Sequence, residues 1–201
     1  MKQISSSIAD FYIKRNIIKS DEKEVYQYGF ELILNDVITF GLILLLSILF
    51  WNVRYGIEFL VVFCLTRIYC GGYHASKSYI CRITMITIFC CIYLITAVIL
   101  PLNPAILYFL LIINLLMILP LIPVKHPNKE LTAEQIKRNR KYGILIYLFF
   151  AIISIIFTKF ISKQDGIIIG LSLCAVTALA IIGTFTNERR YNNEGNKKDF
   201  K

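Results

Sequence analysis

Apolar stretches of near-membrane length recur along this 201-residue chain, separated by short polar or proline-containing breaks. A helix needs about 20 apolar residues to cross the hydrocarbon core of a bilayer. The pattern predicts six crossing helices, over 30–50, 55–70, 80–100, 105–124, 143–161 and 166–186. Pro101 and Pro104 bracket a tight turn between the third and fourth, and Pro120, Pro123 and Pro127 end the fourth. Gln164, Asp165 and Gly166 mark a short turn between the fifth and sixth. The first apolar run follows a long charged stretch, too late and too polar for an ordinary cleaved signal peptide, so the first crossing is expected to be retained. Ahead of it, Ile4, Ile8, Phe11, Tyr12, Ile17 and Ile18 alternate with Lys14, Arg15 and Lys19. Two readings stand for this region: an amphipathic helix held on the inner leaflet by apolar burial and anionic lipid, or a solvated basic arm. From Tyr191 onward the residues are polar and predict a short disordered tail.

Composition agrees with this pattern. Hydrophobic residues make up 57% of the chain and charged residues 17%, where a soluble domain carries about 25% charge. The expected fold is therefore all-α: a polytopic membrane protein forming one domain over 1–201, with an amphipathic N-terminal region over 1–28 and a tail over 187–201. Basic residues set the orientation. The N-terminal stretch has five, the 51–54 loop one, the region between the second and third crossings three, the 101–104 loop none, the 125–142 loop six, the turn near 160 two and the tail five. Rich and poor regions alternate, which places both termini and the loop around residue 74 in the cytoplasm of a cell membrane. The net charge of +9 follows this topology. No base-stacking motif accompanies it, so nucleic acid is not an expected partner.

Six cysteines are present, none in a C-x-x-C pair and most inside apolar runs, so a disulfide framework is not expected. Two histidines, His74 and His126, leave little material for a metal site, and neither metal nor cofactor is expected. His126 reads as a loop residue.

Reactive side chains gather in one place, Arg67-Ile-Tyr-Cys-Gly-Gly-Tyr-His-Ala75, followed by Ser-Lys-Ser-Tyr-Ile-Cys81. Cys81 falls at the predicted start of the third crossing, beside Arg82 and shortly after Lys77. A helix N-terminus and nearby cations both favour the thiolate, the nucleophilic form of cysteine. His74 is the available base. The alternative for Cys81 is a structural thiol, and for His74 a polar anchor. Gly71 and Gly72 permit a sharp turn, and their N–H groups can serve an oxyanion. The spacing imposes a condition. On a straight helix His74 and Cys81 would lie about 10.5 Å apart, too far for a direct hydrogen bond of roughly 2.6–3.2 Å, so the chain between them must bend. Arg67 reads equally as a carboxylate-binding fork or an interfacial anchor. Glu31 and Asp36 lie in the first crossing, Glu31 placed to pair with Arg67 or orient His74. Glu58 is expected at the outer interface. The basic stretch 129–141 suits an acidic peptide or the lipid surface.

These residues resemble the AgrB family, the membrane endopeptidases of the accessory gene regulator quorum-sensing system. Arg67, Gly71, Gly72, His74 and Ala75, with Cys81 at the family's distance from the histidine, carry the resemblance, and chain length and hydropathy extend it over nearly the whole sequence. The resemblance implies that Cys81 attacks a small AgrD-type propeptide with His74 as base, removing its acidic C-terminal part. An acyl-enzyme thioester forms, and a Cys or Ser of the propeptide closes a thiolactone or lactone ring. It further implies supporting roles for Arg67, Gly71, Gly72 and Glu31, contact with membrane lipids, and a homodimer. Such ring closure needs no ATP, because a thioester retains acyl-transfer potential and a tethered thiol has high effective molarity.

Two other classes compete. A small transporter would carry polar residues deep in several crossings. Asn35, Asp36 and Asn114 are the candidates, but no internal repeat accompanies them. A non-catalytic peptide-binding membrane protein would need no His/Cys pair.

Overall fold

A computed structural model describes residues 2–71, 78–99, 103–124 and 132–198. Among these residues the chain is helical, with no strand. The helices are α1 (Lys2–Lys14), α2 (Lys23–Leu49), α3 (Val53–Cys70), α4 (Ser78–Ile99), α5 (Ala105–Ile118), α6 (Ala133–Ile156) and α7 (Lys163–Lys198). A 3₁₀ turn over Ser20–Glu22 precedes α2, and a π-helical turn over Phe157–Ile161 ends α6. This is the all-α membrane fold that the hydropathy predicts.

Among the described residues, four helices are long and apolar enough to cross a membrane: α2, α4, α6 with its π turn, and α7. The other two predicted crossings correspond to shorter or more charged helices. α3 has 18 residues but carries Arg54, Glu58 and Arg67. α5 has 14 residues, closed in by Pro104 before it and Pro120 after it. Proline lacks the N–H that would continue an α-helix.

Helix α7 is the axis of the bundle. Its apolar window is 72% buried, against 17–22% for the other three long apolar helices. It packs on α3, α4, α5 and α6. Its inward positions include Gly166, Gly170, Ser172, Ala180 and Gly183, small residues that let helices approach closely. Its Ile168 and Leu173 form a continuous buried cluster with Phe59, Phe63, Phe89, Leu107, Ile118 and Tyr147 of the surrounding helices.

Helix α2 starts at Lys23 and α5 ends at Ile118, both earlier than the sequence predicts, and three further boundaries differ with a local cause. The turn before α7 falls at Ser162, whose backbone is extended, and Gln164–Gly166 already belong to α7. The Ser162 hydroxyl accepts from the Asp165 N–H at 3.4 Å, and its carbonyl accepts from the Gly166 N–H at 3.1 Å, so a serine cap starts the helix where Gly166 seemed to break it. At the other end α7 continues past Tyr191 to Lys198. Extending a formed helix adds a hydrogen bond per residue without a new nucleus, so polar residues there do not stop it. Helix α6 begins at Ala133, well before its apolar part. Thr132 and Gln135 form a reciprocal capping box, with Thr132 Oγ accepting at 3.3 Å and Gln135 Oε1 accepting at 3.1 Å.

Helix α1 folds back on α2. Ser5 and Ala9 are buried, Tyr12 packs on Phe30 at 5.3 Å, and Lys23 pairs with Asp10 at 2.6 Å. Small residues thus face the protein while Ile4 and Phe11 face outward, and Arg15 sits over the Phe11 ring at 5.0 Å.

Contacts separate into two ends of the bundle. At one end the α2–α3 turn meets the start of α7. Arg54 donates to Glu58 at 3.0 Å and pairs with Asp165 at 2.7 Å, and the Tyr55 hydroxyl donates to Gln164 Oε1. Glu58, expected at an interface, is largely buried against Arg54. At the opposite end α3 finishes against the segment after α5 and the start of α6. The same end holds the first turn of α4. Asn114, deep in α5, accepts from the Tyr147 hydroxyl of α6 at 3.2 Å, so it serves interhelical packing.

Candidate functional site

The site grows from the C-terminus of α3. The Gly71 N–H caps the helix by donating to the Arg67 carbonyl at 2.9 Å, and the freed Cys70 carbonyl accepts from the Val124 N–H at 3.0 Å. Gly71 has φ +75° and ψ −161°, a backbone region that essentially only glycine occupies. A Cβ there would also sit 3.2 Å from the Val124 carbonyl oxygen and 3.3 Å from its nitrogen. Gly143 of α6 closes the other side. A Cβ on it would lie 3.1 Å from Ile122 Cγ2 and 3.4 Å from Cys70 Sγ. The end of α3 is thus packed closely on the segment after α5 and on α6, and the positive φ of Gly71 disfavours a side chain there. Gly71→Ala is expected to cost about 1–3 kcal/mol from backbone strain, read as earlier unfolding of the purified protein in detergent.

Arg67 lies in the last turn of α3, half-buried, with its guanidinium 5.6 Å from the Phe63 ring. Asp36 of α2 and Cys64 of α3 are both within electrostatic reach of it. Glu31 lies on α2, half-buried, and forms no ion pair among the described residues. Cys81 occupies the first turn of α4 and is half-buried, whereas Cys70 is fully buried and Cys91 exposed. Helix α4 is anchored beside Cys81. Arg82 donates through Nη2 to Asn35 Oδ1 of α2 at 2.7 Å. His74, Gly72 and His126 lie outside the described residues. Among the described residues no group of His, Cys, Asp and Glu could hold a metal ion.

The structure therefore brings Arg67, Gly71 and the α4 turn bearing Cys81 to one end of the bundle. Sequence reasoning weighed Asn35 only as a sign of transport. Its isolation in an apolar run signals a buried partner but does not say which one. It also placed Arg54 alone in a loop. The Arg54–Glu58 pair was visible as an i,i+4 spacing, whereas Asp165 joins it only in three dimensions.

The family model of accessory gene regulator B matches residues 5–182. The chain belongs to the AgrB family. AgrB-family proteins take part in propeptide processing for agr quorum sensing, and the long apolar helices here agree with a membrane protein of that kind. An AgrB-like protein of Clostridium perfringens (strain SM101 / Type A) is 28% identical over 192 residues, covering 84% of this chain and 90% of its own length. AgrB-like protein 2 of Clostridium perfringens (strain 13 / Type A) is 28% identical over 166 residues, covering 78% of each chain. No solved structure matches the chain. The AgrB match spans α1 to most of the crossing part of α7, so it includes both the α3–α4 end with Cys81 and the Arg54 cluster opposite.

Proposed function

We propose that this AgrB protein is a membrane-embedded cysteine endopeptidase acting on an AgrD-type propeptide. The observation that carries the reading is the position of Cys81. It is a half-buried thiol on the first turn of α4, at the end of the bundle that also holds Arg67 and the strained Gly71. Cys81 attacks the scissile carbonyl and His74 takes its proton. The C-terminal fragment leaves as an amine, and the N-terminal fragment remains as a thioester. The propeptide's own nucleophile then closes the ring and frees Cys81. Arg67 carries a fixed positive charge suited to a peptide carboxylate. Gly71 and Gly72 shape the turn, and Glu31 supports the site.

Six crossings, with the His74–Cys81 end and both termini in the cytoplasm, fit the alternation of basic residues and the segregation of contacts into two ends. The outward Ile4 and Phe11 of α1, beside Arg15, suit the inner leaflet. Asp36 is exposed on α2, where lipid would be a costly neighbour. A homodimer in which a second copy covers that face would shield the carboxylate from lipid.

A covalent trap tests the chemistry. The full chain is reconstituted in vesicles with a synthetic AgrD-type propeptide whose ring-forming Cys or Ser is replaced by Ala. The expected result is a hydroxylamine-sensitive adduct on Cys81 with the mass of the N-terminal fragment. Cleavage that proceeds with no adduct on any cysteine would overturn the mechanism.

A further inference from the structure

The turn between α2 and α3 holds the chain's one tryptophan in an exposed and strained position. Trp51 is 95% exposed and has φ +62°. A bulky side chain in the left-handed region is a backbone outlier, and it persists only where the surroundings fix it. Here they do. The Trp51 N–H donates to the Ile48 carbonyl and the Asn52 N–H to the Ser47 carbonyl, both at 2.9 Å. Phe50 turns inward and stacks on Tyr93 of α4, with ring centroids 4.4 Å apart. A Cβ on Gly56 would lie 2.9 Å from Ser47 Cβ, so α2 and α3 meet closely just behind the turn. Phe50 is tied to the bundle, and the next residue is turned away from it.

The surroundings of the turn indicate what covers the indole. On the exposed face of α3, Val53, Ile57, Val61, Leu65 and Ile68 recur at helical spacing. The charges near the start of α3 are engaged within the bundle, Arg54 with Glu58 and with Asp165 of α7. The 18 residues of α3 rise about 27 Å, close to the ~30 Å of a hydrocarbon core. Trp51 stands just before this apolar stripe, and Arg67 and Gly71 stand at its far end. At the Trp51 end, Phe160 is also exposed, with Lys159 Nζ 5.2 Å from its ring centroid. An apolar stripe of bilayer length that begins beside an exposed indole, with a second exposed aromatic and a lysine at the same level, has the composition of a membrane–water boundary. The indole suits that layer because its body is apolar and its N–H needs a polar partner. A protein partner would not require the stripe to match the thickness of a bilayer.

We propose that Trp51 is an interface anchor: its indole seats among lipid headgroups at the end of the bundle opposite Cys81 and sets the depth at which α3 crosses. Its ring packs on the upper acyl chains and its N–H donates to phosphate or ester oxygens. With that end fixed, the length of α3 places Arg67 and Gly71 at the other headgroup layer. The inference rests on the six-crossing reading and not on the chemistry of Cys81. Helix α3 has particular use for such an anchor, because its charged residues weaken its own preference for the bilayer.

Since no other tryptophan is present, intrinsic fluorescence reports on this position alone. The full chain is reconstituted at low protein-to-lipid ratio in phosphatidylcholine vesicles whose lipids are brominated either near the headgroup or near the chain ends. The expected emission lies to the blue of tryptophan in water. Bromine near the headgroup should quench it most, with weaker quenching from the chain ends and from aqueous acrylamide. A water-like emission quenched by acrylamide alone overturns the anchor, and so does quenching that is strongest at the chain ends. Protection from all three quenchers means that protein covers the indole, and overturns it too. Asn52→Cys reads the crossing separately, through a membrane-impermeant maleimide applied to intact protoplasts and peptide-resolved mass spectrometry. Labelling from outside is expected. Labelling that appears only after lysis overturns the crossing of α3 and the anchor with it. Labelling from outside combined with a water-like indole keeps the crossing and removes only the anchor.

Discussion

Cys81→Ala is expected to stop cleavage of a co-expressed propeptide, a loss on the order of a thousandfold or more, as removal of an attacking nucleophile produces. The chain offers its own control. Cys91 lies on the same helix about 15 Å further along, and it is exposed on the bundle surface. Cys91→Ala should therefore cleave at the wild-type rate. The two substitutions remove the same atoms from the same helix and differ only in place, so a helix-wide packing effect would touch both. The decisive measurement is the ratio of uncleaved to cleaved propeptide in membranes, together with co-purification of the uncleaved form. A Cys81→Ala chain that binds and does not cleave supports catalysis. One that cleaves at the wild-type rate removes Cys81 as the nucleophile and overturns the cysteine-peptidase reading.

The candidate site is written into one stretch of sequence, whereas the arrangement of the helices around it is not. The Arg67–Cys81 stretch is contiguous, so its residue types and spacing could be read in one dimension. The helices were legible because a bilayer demands long apolar runs, and α2, α4, α6 and α7 satisfy that demand directly. Their arrangement was not. All four have similar hydropathy, yet of these only α7 is enclosed. Hydropathy reports compatibility with apolar surroundings, and a neighbouring helix is as apolar as lipid. The distinguishing signal is the run of small residues from Gly166 to Gly183, which hydropathy ignores. Partners across helices are hidden for the same reason. Asn35 announced that it needed one. Finding Arg82 required α2 and α4 to be laid side by side.

Gly166→Ala is the substitution expected to damage the fold most. A Cβ at Gly166 would lie 2.6 Å from the Ser154 carbonyl oxygen and 2.5 Å from the Thr158 backbone nitrogen. These are main-chain atoms of α6 and its π turn, which cannot swing aside as a side-chain tip can. The two helices must separate at their closest approach. Separation also breaks the hydrogen bond from Ser154 Oγ to the Gly166 carbonyl, 2.6 Å long and buried. It displaces the first turn of α7, where Asp165 meets Arg54 at 2.7 Å. Overpacking of this kind costs about 3 kcal/mol or more when backbone has to move. Gly41→Ala supplies the comparison, since nothing lies within 4 Å of a Cβ there. On an exposed helical face the better propensity of alanine should stabilise by about 0.5–1 kcal/mol. Unfolding of both variants in mixed micelles of increasing sodium dodecyl sulfate content should then move in opposite directions from wild type. If Gly166→Ala unfolds with wild type, α6 and α7 do not cross at Gly166, and α7 loses its place as the axis of the bundle.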